Sequence, residues 1–354
     1  MNSIPRLTRR LMGVQLAVVI VYFAAVQTLP AAELPLLRGA HGAFNEKVLA
    51  LWLGVERGFF HKHGIDVEVV DVHNGPMTIQ ALASGEVQVA YTVPSCVLSA
   101  AVGGMDIAFF AGLVNRPDGD LVVAPNIQSA GDLKGKRLGV QSIGGGIWAM
   151  TVLALEHLGL ESTRVKISMA TLGDQRVLAQ SLIAGKIVGA YLSYGYRPLL
   201  KEHKYRVLLD LGKSSIPYQG LALAAQRKYL QRNPGQMDAL LNGVAESVAF
   251  VKDPANKGDV LKSLRKNLRV SDPQQAELAY EALLSLYSSD LKPHLPGIQN
   301  VARLHSLSNP KLKQLRAQDV VDSAPVQRLE NGTVYRELMA RAEGSPRSLH
   351  WIRS

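Results

Sequence analysis

The feature that most constrains the fold of this chain is an internal repeat with a spacing of one hundred residues. Segment 82–91 reads LASGEVQVAY, and segment 182–191 reads LIAGKIVGAY. Leucine, glycine, alanine and tyrosine occupy equivalent positions, and the likeness extends back to Gly39 and Gly139. A match at a fixed spacing indicates a duplicated structural unit. The alternative is a chance likeness, since any two α/β units place glycines and aliphatic residues in similar positions.

Each copy of the repeat alternates extended and helical patterns. In the first copy, a helix is predicted at Glu46–Gly58. The β-branched run Ile65–Val72 follows it and precedes a second helical segment, Met77–Ser84, and a further extended run, Val87–Val93. Gly85 ends the helical segment, as glycine commonly does. Strands that alternate with helices at this spacing predict βαβ units on a parallel sheet. We therefore predict an α/β protein with two lobes of similar build.

The order of the predicted elements gives the lobe boundaries. Lobe one is predicted to comprise residues 33–114 and 221–343, and lobe two residues 115–220, with crossings near Asn115 and Gln219. Helices that add no new strands must pack on an existing lobe, which we take to be lobe one. These helices are predicted at Pro234–Val251, Ala255–Asn267, Pro273–Tyr287 and Val334–Ala342, with a loop at Pro293–Gly297 and a loose tail at residues 344–354.

The N-terminal segment has the pattern of an export signal. Arg6, Arg9 and Arg10 precede the uncharged apolar run Leu11–Leu29, and small residues follow at positions 30–32. This pattern predicts a cleaved signal peptide at residues 1–32 and a periplasmic mature protein. The apolar run is 19 residues long, enough to span a bilayer if it is retained. A protein tethered to the inner membrane is therefore the alternative.

Charge and cysteine content narrow the possible functions. The formal net charge is +10, but the basic residues are scattered among acidic ones. Such a distribution is typical of a solvated surface and not of a nucleic-acid groove, so we expect no nucleic-acid partner. Cys96 is the single cysteine, which excludes an internal disulfide. We expect a monomer.

Several short motifs occur in an order typical of one family of exported proteins. They are Gly58-Phe59-Phe60 with Gly64-Ile65-Asp66-Val67-Glu68, Ala81-Leu82-Ala83-Ser84-Gly85-Glu86-Val87, Pro94-Ser95, Gly103-Gly104-Met105-Asp106, and Asp132-Leu133-Lys134-Gly135-Lys136-Arg137-Leu138-Gly139-Val140. On these motifs the chain resembles the solute-binding proteins of ABC importers for nitrate, taurine and aliphatic sulfonates, a group related to pyrimidine-precursor binders. The resemblance implies the two-lobed periplasmic-binding-protein fold, with a ligand cleft between the lobes.

The resemblance also implies a function and partners. The expected function is to deliver a small organic or inorganic anion to the membrane permease of an ABC importer by hinge closure. The alternatives are a receptor for a neutral pyrimidine-like precursor, a membrane-tethered sensor, and an enzyme on the same fold. Pyrimidine-precursor synthases that resemble this group carry a cysteine-rich segment, and the single Cys96 argues against that activity. We therefore expect neither enzymatic activity nor a cofactor.

The predicted ligand site lies at the strand ends. Open α/β sheets bind ligands outside the carboxyl ends of their strands. These ends are followed by loops 41–45, 73–76 and 92–95 in lobe one, and by loops 141–146, 171–174 and 193–194 in lobe two. The loop Gln141–Gly146 follows a strand and opens a helix, so its free N–H groups and the helix dipole favour an anion. None of the six loops contains arginine, so backbone N–H groups and hydroxyls would hold the anion.

The candidate ligand-binding residues are polar, aromatic or glycine residues of these loops. They are His41, Phe44, Asn74, Thr92, Ser95, Gln141, Ser142, Gly144, Gly145, Thr171, Ser193 and Tyr194. Helix capping is the alternative role for the hydroxyl groups, and core packing is the alternative for Phe44. His61 and His63 are two residues apart and do not face one metal ion. The sequence contains no Ser-His-Asp set, paired-carboxylate motif or metal-ligand spacing, so we predict no catalytic or metal-binding residue.

Overall fold

Two five-stranded sheets organise the chain. The computed structural model describes residues 33–160, 166–333 and 335–338. The ten strands of the described residues are β1 (Leu36–His41), β2 (Asp66–Asp71), β3 (Val89–Thr92), β4 (Ile107–Gly112), β5 (Asp120–Val123), β6 (Arg137–Val140), β7 (Ser168–Thr171), β8 (Gly189–Leu192), β9 (Arg206–Asp210) and β10 (Ala222–Gln226). The predicted signal peptide, the loose tail and most of the predicted helix Val334–Ala342 lie outside the described residues.

The two sheets have the same topology. Sheet one has the order β2-β1-β3-β10-β4, and sheet two has the order β7-β6-β8-β5-β9. Strands β10 and β5 run antiparallel to both of their neighbours. The pairs among β1–β3 and among β6–β8 are parallel. The prediction of two α/β units, each with a mostly parallel sheet, is therefore confirmed.

The shared topology explains the sequence repeat. The segments around β1–β3 and β6–β8 occupy equivalent places in their sheets. Gly85 and Gly185 follow equivalent helices with φ angles of 81° and 70°, a left-handed conformation in which only glycine avoids steric strain. Tyr91 and Tyr191 are buried in the equivalent strands β3 and β8. The fold thus imposes the recurring residues at these positions.

The chain passes twice between the sheets, and the two passages lie side by side. Gly220 donates its backbone N–H to the Val114 carbonyl at 2.7 Å, and Val114 donates to the Leu221 carbonyl at 3.2 Å. The buried side chain of Gln219 donates to the Val114 carbonyl and to the Asn115 side-chain oxygen, both at 2.9 Å. Hydrogen bonds thus hold the two passages together between the sheets. The lobe boundaries at residues 114 and 220 stay predictions.

Thirteen α-helices flank the sheets in the described residues. They are α1 (Leu49–Glu56), α2 (Phe59–Lys62), α3 (Gly75–Ser84), α4 (Pro94–Val102), α5 (Gly146–His157), α6 (Gln175–Ile183), α7 (Arg197–Glu202), α8 (Arg227–Arg232), α9 (Pro234–Lys252), α10 (Lys257–Leu268), α11 (Pro273–Leu286), α12 (Leu295–His305) and α13 (Ala324–Asn331). Short 3₁₀ turns lie at Glu46–Val48 and Tyr194–Tyr196. No helix of the described residues is both long and apolar enough to cross a membrane.

Two expectations about helices are wrong. The predicted loop at Pro293–Gly297 contains the start of α12, because Pro296 occupies the first helical turn, where its missing N–H is not needed. The helical pattern near residues 46–58 is broken into a 3₁₀ turn, α1 and α2, and Gly58 lies between the two helices at a φ of 68°.

The C-terminal helices divide their packing between the two lobes. Helix α9 packs on α1, α2 and α13, and α10 packs on α1. Helix α12 instead contacts both α4, which follows β3, and α5, which follows β6. Its buried residues Ile298, Val301 and Ala302 belong to the same apolar cluster as Trp148 of α5. Helix α12 therefore joins the two lobes next to the predicted cleft.

Candidate functional site

The strand ends of sheet one form a closely packed surface. A side chain at Gly42 would collide with the backbone of Asn74, and a Cβ at Gly75 would lie 2.5 Å from the Cys96 sulfur and 3.1 Å from the Thr92 hydroxyl oxygen. The loops after β1, β2 and β3 thus meet, as predicted for neighbouring parallel strands. Burial raises the pKa of the Cys96 thiol, although hydrogen bonds from Thr92 and Ser95 oppose the shift. Cys96 is therefore protonated at neutral pH.

Two predicted ligand residues of lobe one have structural partners. His41 is buried and donates its Nδ1–H to the Ala43 carbonyl at 2.9 Å. Its ring meets the edge of Trp52 with centroids 5.9 Å apart, and burial lowers its pKa. The Asn74 side chain caps α3 by accepting the Met77 N–H at 2.9 Å. Helix capping, which the sequence indicates as the alternative role of the hydroxyl groups, is thus the role of the Asn74 amide oxygen.

Phe44 does not lie in the core. It is one of the exposed large apolar side chains, and its ring lies 6.3 Å from that of Trp52. Its open face leaves it available to stack against a ligand.

The glycine-rich loop of lobe two has the geometry of a helix N-terminus. Gly144 adopts a φ of 79°, and Gly145 is the N-cap of α5 and donates its N–H to the Ser142 carbonyl at 3.2 Å. Gln141, Ser142 and Ile143 are exposed. No acidic residue occupies the first turn of α5, so its N–H groups and dipole are not neutralised within that turn.

The remaining candidates of lobe two have different surroundings. Thr171 is exposed at the end of β7. The Ser193 backbone N–H donates to the Gln175 side-chain oxygen at 2.7 Å, and the Ser193 hydroxyl takes no part in this bond. Tyr194 donates its hydroxyl to Asp210 at 2.7 Å, and the Arg197 guanidinium lies 4.1 Å from its ring centre. These contacts fix the Tyr194 ring and cover one of its faces.

The two sets of loops face each other. A Cβ built on Gly146 would lie 3.9 Å from the Val93 side chain of lobe one, and one on Gly144 would lie 3.9 Å from the Nδ1 atom of His305 on α12. The 3₁₀ turn Tyr194–Tyr196 lies beside α11. The structure thus brings the glycine-rich loop next to the end of β3 and the end of α12.

A largely buried cluster of charged residues was missed in the sequence. Lys47 and Asp118 form an ion pair with 2.7 Å between Nζ and Oδ2, and both side chains are largely buried. Glu46 lies beside them, and burial raises its pKa. The pKa of Tyr191 is also raised, by burial first and then by the negative charges of Asp118 and Glu46. With one cation and two carboxylates, this cluster carries a net negative charge when all three are ionised.

One local signal of this cluster was present in the sequence. Glu46 and Lys47 directly follow the predicted loop 41–45, and Asp118 lies three residues after the predicted crossing at Asn115. Their pairing joins residues 47 and 118 of the chain, and no local pattern predicts a contact over such a separation.

His61 and His63 each lie beside an acidic side chain, which accounts for these two histidines. His61 lies 3.0 Å from Asp66, and His63 lies 3.0 Å from Glu246. The described residues contain no cluster of three or more histidine, cysteine or acidic side chains suited to a metal ion.

Comparison with known proteins identifies relatives of this chain. The family model described as NMT1/THI5 like matches residues 45–256. A putative binding protein of Brucella abortus (strain 2308) is 25% identical over 241 residues, which cover 65% of this chain and 73% of that protein. A putative thiamine biosynthesis protein of Haemophilus influenzae is 21% identical over 219 residues, covering 60% of this chain and 68% of that protein.

A solved structure confirms the fold. The periplasmic aliphatic sulphonate binding protein SsuA from Escherichia coli superposes with a TM-score of 0.67 at 19% identity, covering 84% of this chain and 99% of that one. The chain therefore has the two-lobed fold of periplasmic binding proteins.

Proposed function

The chain belongs to the NMT1/THI5-like family, and on this basis we propose that it is an extracytoplasmic receptor for a small anion of the sulfonate, taurine or nitrate type. The receptor binds the anion between its lobes, closes on its hinge and delivers the anion to the permease of an ABC importer. Support for this class comes from the fold, which the chain shares with an aliphatic sulphonate binding protein.

The observation that carries the proposal is the free N-terminus of α5 opposite lobe one. The loop Gln141–Gly145 leads into α5 at Gly146, where a Cβ would lie 3.9 Å from Val93, and the six loops contain no arginine. A helix N-terminus binds anions without a full countercharge. Each charge-assisted hydrogen bond contributes about 1.5–3 kcal/mol, so three such bonds at the upper end of this range reach the roughly 8 kcal/mol of a micromolar complex.

The paired crossings supply a hinge for closure. Residues 114–115 and 219–221 hold each other by backbone and side-chain hydrogen bonds, so the lobes can rotate about these segments while the sheets stay intact. The contacts of α12 with α4 and α5 would have to adjust during this rotation. Ligand binding should compact the particle in solution scattering. Identical scattering profiles with and without a tightly bound ligand would count against this mechanism.

A ligand screen with two matched variants tests the proposal. Ethanesulfonate, taurine, nitrate, a pyrimidine and a dicarboxylate are compared by thermal shift, since a ligand at one hundred times its Kd stabilises the native state by about 2.7 kcal/mol. Gly145→Asp places a carboxylate at the proposed anion position and should abolish binding of the anion. Gly145→Asn makes the same steric demand on the Ser142 hydroxyl, 2.5 Å from the new Cβ, but adds no charge.

The comparison of the two variants isolates the charge. We expect Gly145→Asn to retain much more affinity than Gly145→Asp. If both variants bind the anion as the parent does, the anion is not held at this loop.

A second candidate function rests on the missed cluster. The Asp118 carboxylate lies near Tyr191 and Tyr218, and the Glu46 carboxylate lies near Tyr191. Carboxylates beside aromatic rings suit a flat ligand with N–H donors. The Haemophilus influenzae relative is described as a putative thiamine biosynthesis protein, which also favours a pyrimidine-like ligand. In the screen, this function predicts stabilisation by the pyrimidine and none by the anions.

The tethered sensor and the enzyme remain distinguishable by simple measurements. A retained Leu11–Leu29 segment in the membrane fraction would favour the sensor. Turnover of a bound pyrimidine would favour the enzyme, for which Cys96 offers no reactive thiolate because burial raises its pKa.

A further inference from the structure

His305 has a buried polar side chain, and its packing does not explain why a histidine occupies this position. It is the last residue of α12 and is 5% exposed. Its Nε2 is the one buried side-chain nitrogen or oxygen in the described residues that lacks a hydrogen-bond partner. Burial of an unpaired polar atom destabilises a fold. A histidine that is kept here although Nε2 stays unpaired therefore calls for an explanation, which a role for its other nitrogen can supply.

The packing of the ring does not require a histidine. The imidazole meets the edge of Trp148 with ring centroids 5.3 Å apart. A phenylalanine would make the same type of contact and bury no unpaired nitrogen.

The other nitrogen of His305 faces the glycine-rich loop. A Cβ built on Gly144 would lie 3.9 Å from Nδ1 and meet no other atom within 4 Å. Gly144 and Gly145 lead into α5, whose first turn carries Trp148. His305 therefore borders the helix N-terminus that the proposed function assigns to the anion.

The protonation state of the His305 ring makes Nδ1 the favoured hydrogen-bond donor. Burial lowers the pKa of His305 to about 4, so the imidazole is neutral at neutral pH and has one N–H. A proton on Nδ1 can be satisfied by water or a ligand at the loop, whereas a proton on Nε2 would be buried without an acceptor.

We propose that His305 contacts the ligand and donates a hydrogen bond from Nδ1 to an oxygen of the anion held at the loop Gln141–Gly145. This inference rests on the proposed function and adds a residue that lies beyond the family-matched segment 45–256. The helix that carries His305 also begins at the hinge, where His294 donates its backbone N–H to Gln219 at 2.7 Å. One helix therefore connects the anion to the crossing segments.

Two substitutions at His305 test the hydrogen-bond donor and the aromatic ring separately. His305→Phe keeps the aromatic contact with Trp148 and removes both nitrogens. His305→Asn loses the ring but can place an amide N–H on the atom bonded to Cγ, where Nδ1 stands. His157→Phe changes an exposed histidine at the far end of α5 and is the matched control.

Calorimetry with ethanesulfonate, taurine and nitrate, together with thermal unfolding, tests the proposal. For the anion that binds the parent, His305→Phe should raise Kd about tenfold, equivalent to 1.4 kcal/mol, without lowering Tm. His305→Asn should keep Kd within about threefold but lower Tm, because it leaves a cavity beside Trp148. His157→Phe should leave Kd unchanged.

Each other result counts against a specific claim. If His305→Phe binds the anion within twofold of the parent, or if His305→Asn loses as much affinity as His305→Phe, the proposed donor is refuted while the receptor function stands. If the parent binds none of the three anions, the anion receptor is refuted and the role of His305 falls with it.

Discussion

Removal of Arg197 should destabilise the protein because it leaves a buried carboxylate without its partner. Arg197 binds Asp120 through two hydrogen bonds of 2.6 and 2.7 Å and reaches Asp210 at 3.0 Å. The Asp120 side chain is only 1% exposed, while that of Arg197 is 38% exposed. The same guanidinium covers the ring of Tyr194, a candidate ligand residue. The interaction thus supports both sheet two and the cleft.

The expected loss for Arg197→Met follows from the burial of Asp120. Breaking a buried ion pair by removing one partner costs about 3–5 kcal/mol. Solvent reaches part of Arg197, so we expect the lower end of this range, about 3 kcal/mol of unfolding free energy. Arg38→Met is the control, since its pair with Glu68 has the same close N–O distance of 2.7 Å but exposures of 50% and 51%. Loss of such a surface pair costs about 0–1 kcal/mol.

The effect of Arg197→Met should depend on pH in a defined direction. Burial raises the pKa of Asp120 even with Arg197 in place, and removal of the guanidinium raises it further. When the pKa of a carboxyl group is higher in the folded state than in the unfolded state, the protein loses stability as the pH rises from the unfolded-state value to the folded-state value. The deficit of the variant should therefore be largest at pH 7–8 and smaller near pH 5.

Urea unfolding of both variants at these pH values measures the effect. The reasoning is refuted if Arg197→Met loses no more stability than Arg38→Met at pH 7, or if its deficit grows as the pH falls.

Three further predictions concern processing, packing and binding. Mass spectrometry of protein from a periplasmic extract should find a mature N-terminus near Glu33, and a full-length chain in the membrane fraction would contradict this. Gly243→Ala should destabilise the fold by about 1–3 kcal/mol, since its new methyl group would collide with the buried Phe60 ring. Gly235→Ala, which meets no neighbour, should stabilise the same helix by up to about 1 kcal/mol in thermal unfolding. Thr92→Ala should weaken anion binding about tenfold in calorimetry, a loss of 1.4 kcal/mol, and unchanged affinity would remove Thr92 from the site.

The sequence predicts the sheets well because local rules set their positions. Glycine ends equivalent helices at residues 85 and 185, where φ is positive, and the buried tyrosines 91 and 191 follow in equivalent strands. Both signals are confined to a few neighbouring residues. Extended apolar runs in the sequence, Leu121–Ala124 and Gln219–Ala225, also mark β5 and β10. Their antiparallel direction is not evident, because a strand pattern does not encode the direction of its neighbours.

The site is harder to predict because distant residues complete it. The contacts of Lys47 with Asp118, of Arg197 with Asp120, and of His305 with Trp148 join parts of the chain that no local pattern connects. Helix α12 was also missed, since its first residues, Leu295-Pro296-Gly297, are typical of a loop. The role of its last residue could therefore not be considered from the sequence.

The position of β10 has a consequence for synthesis of the protein. Strand β4 pairs only with β10 in sheet one, whereas all five strands of sheet two lie between Asp120 and Asp210. A nascent chain that ends before Ala222 can complete sheet two but leaves β3 and β4 with unpaired edges. Such edges favour association with other chains. Sheet one therefore cannot be completed before β10 is available, and a chain that emerges slowly from the ribosome or during export would leave the edges of β3 and β4 exposed until then.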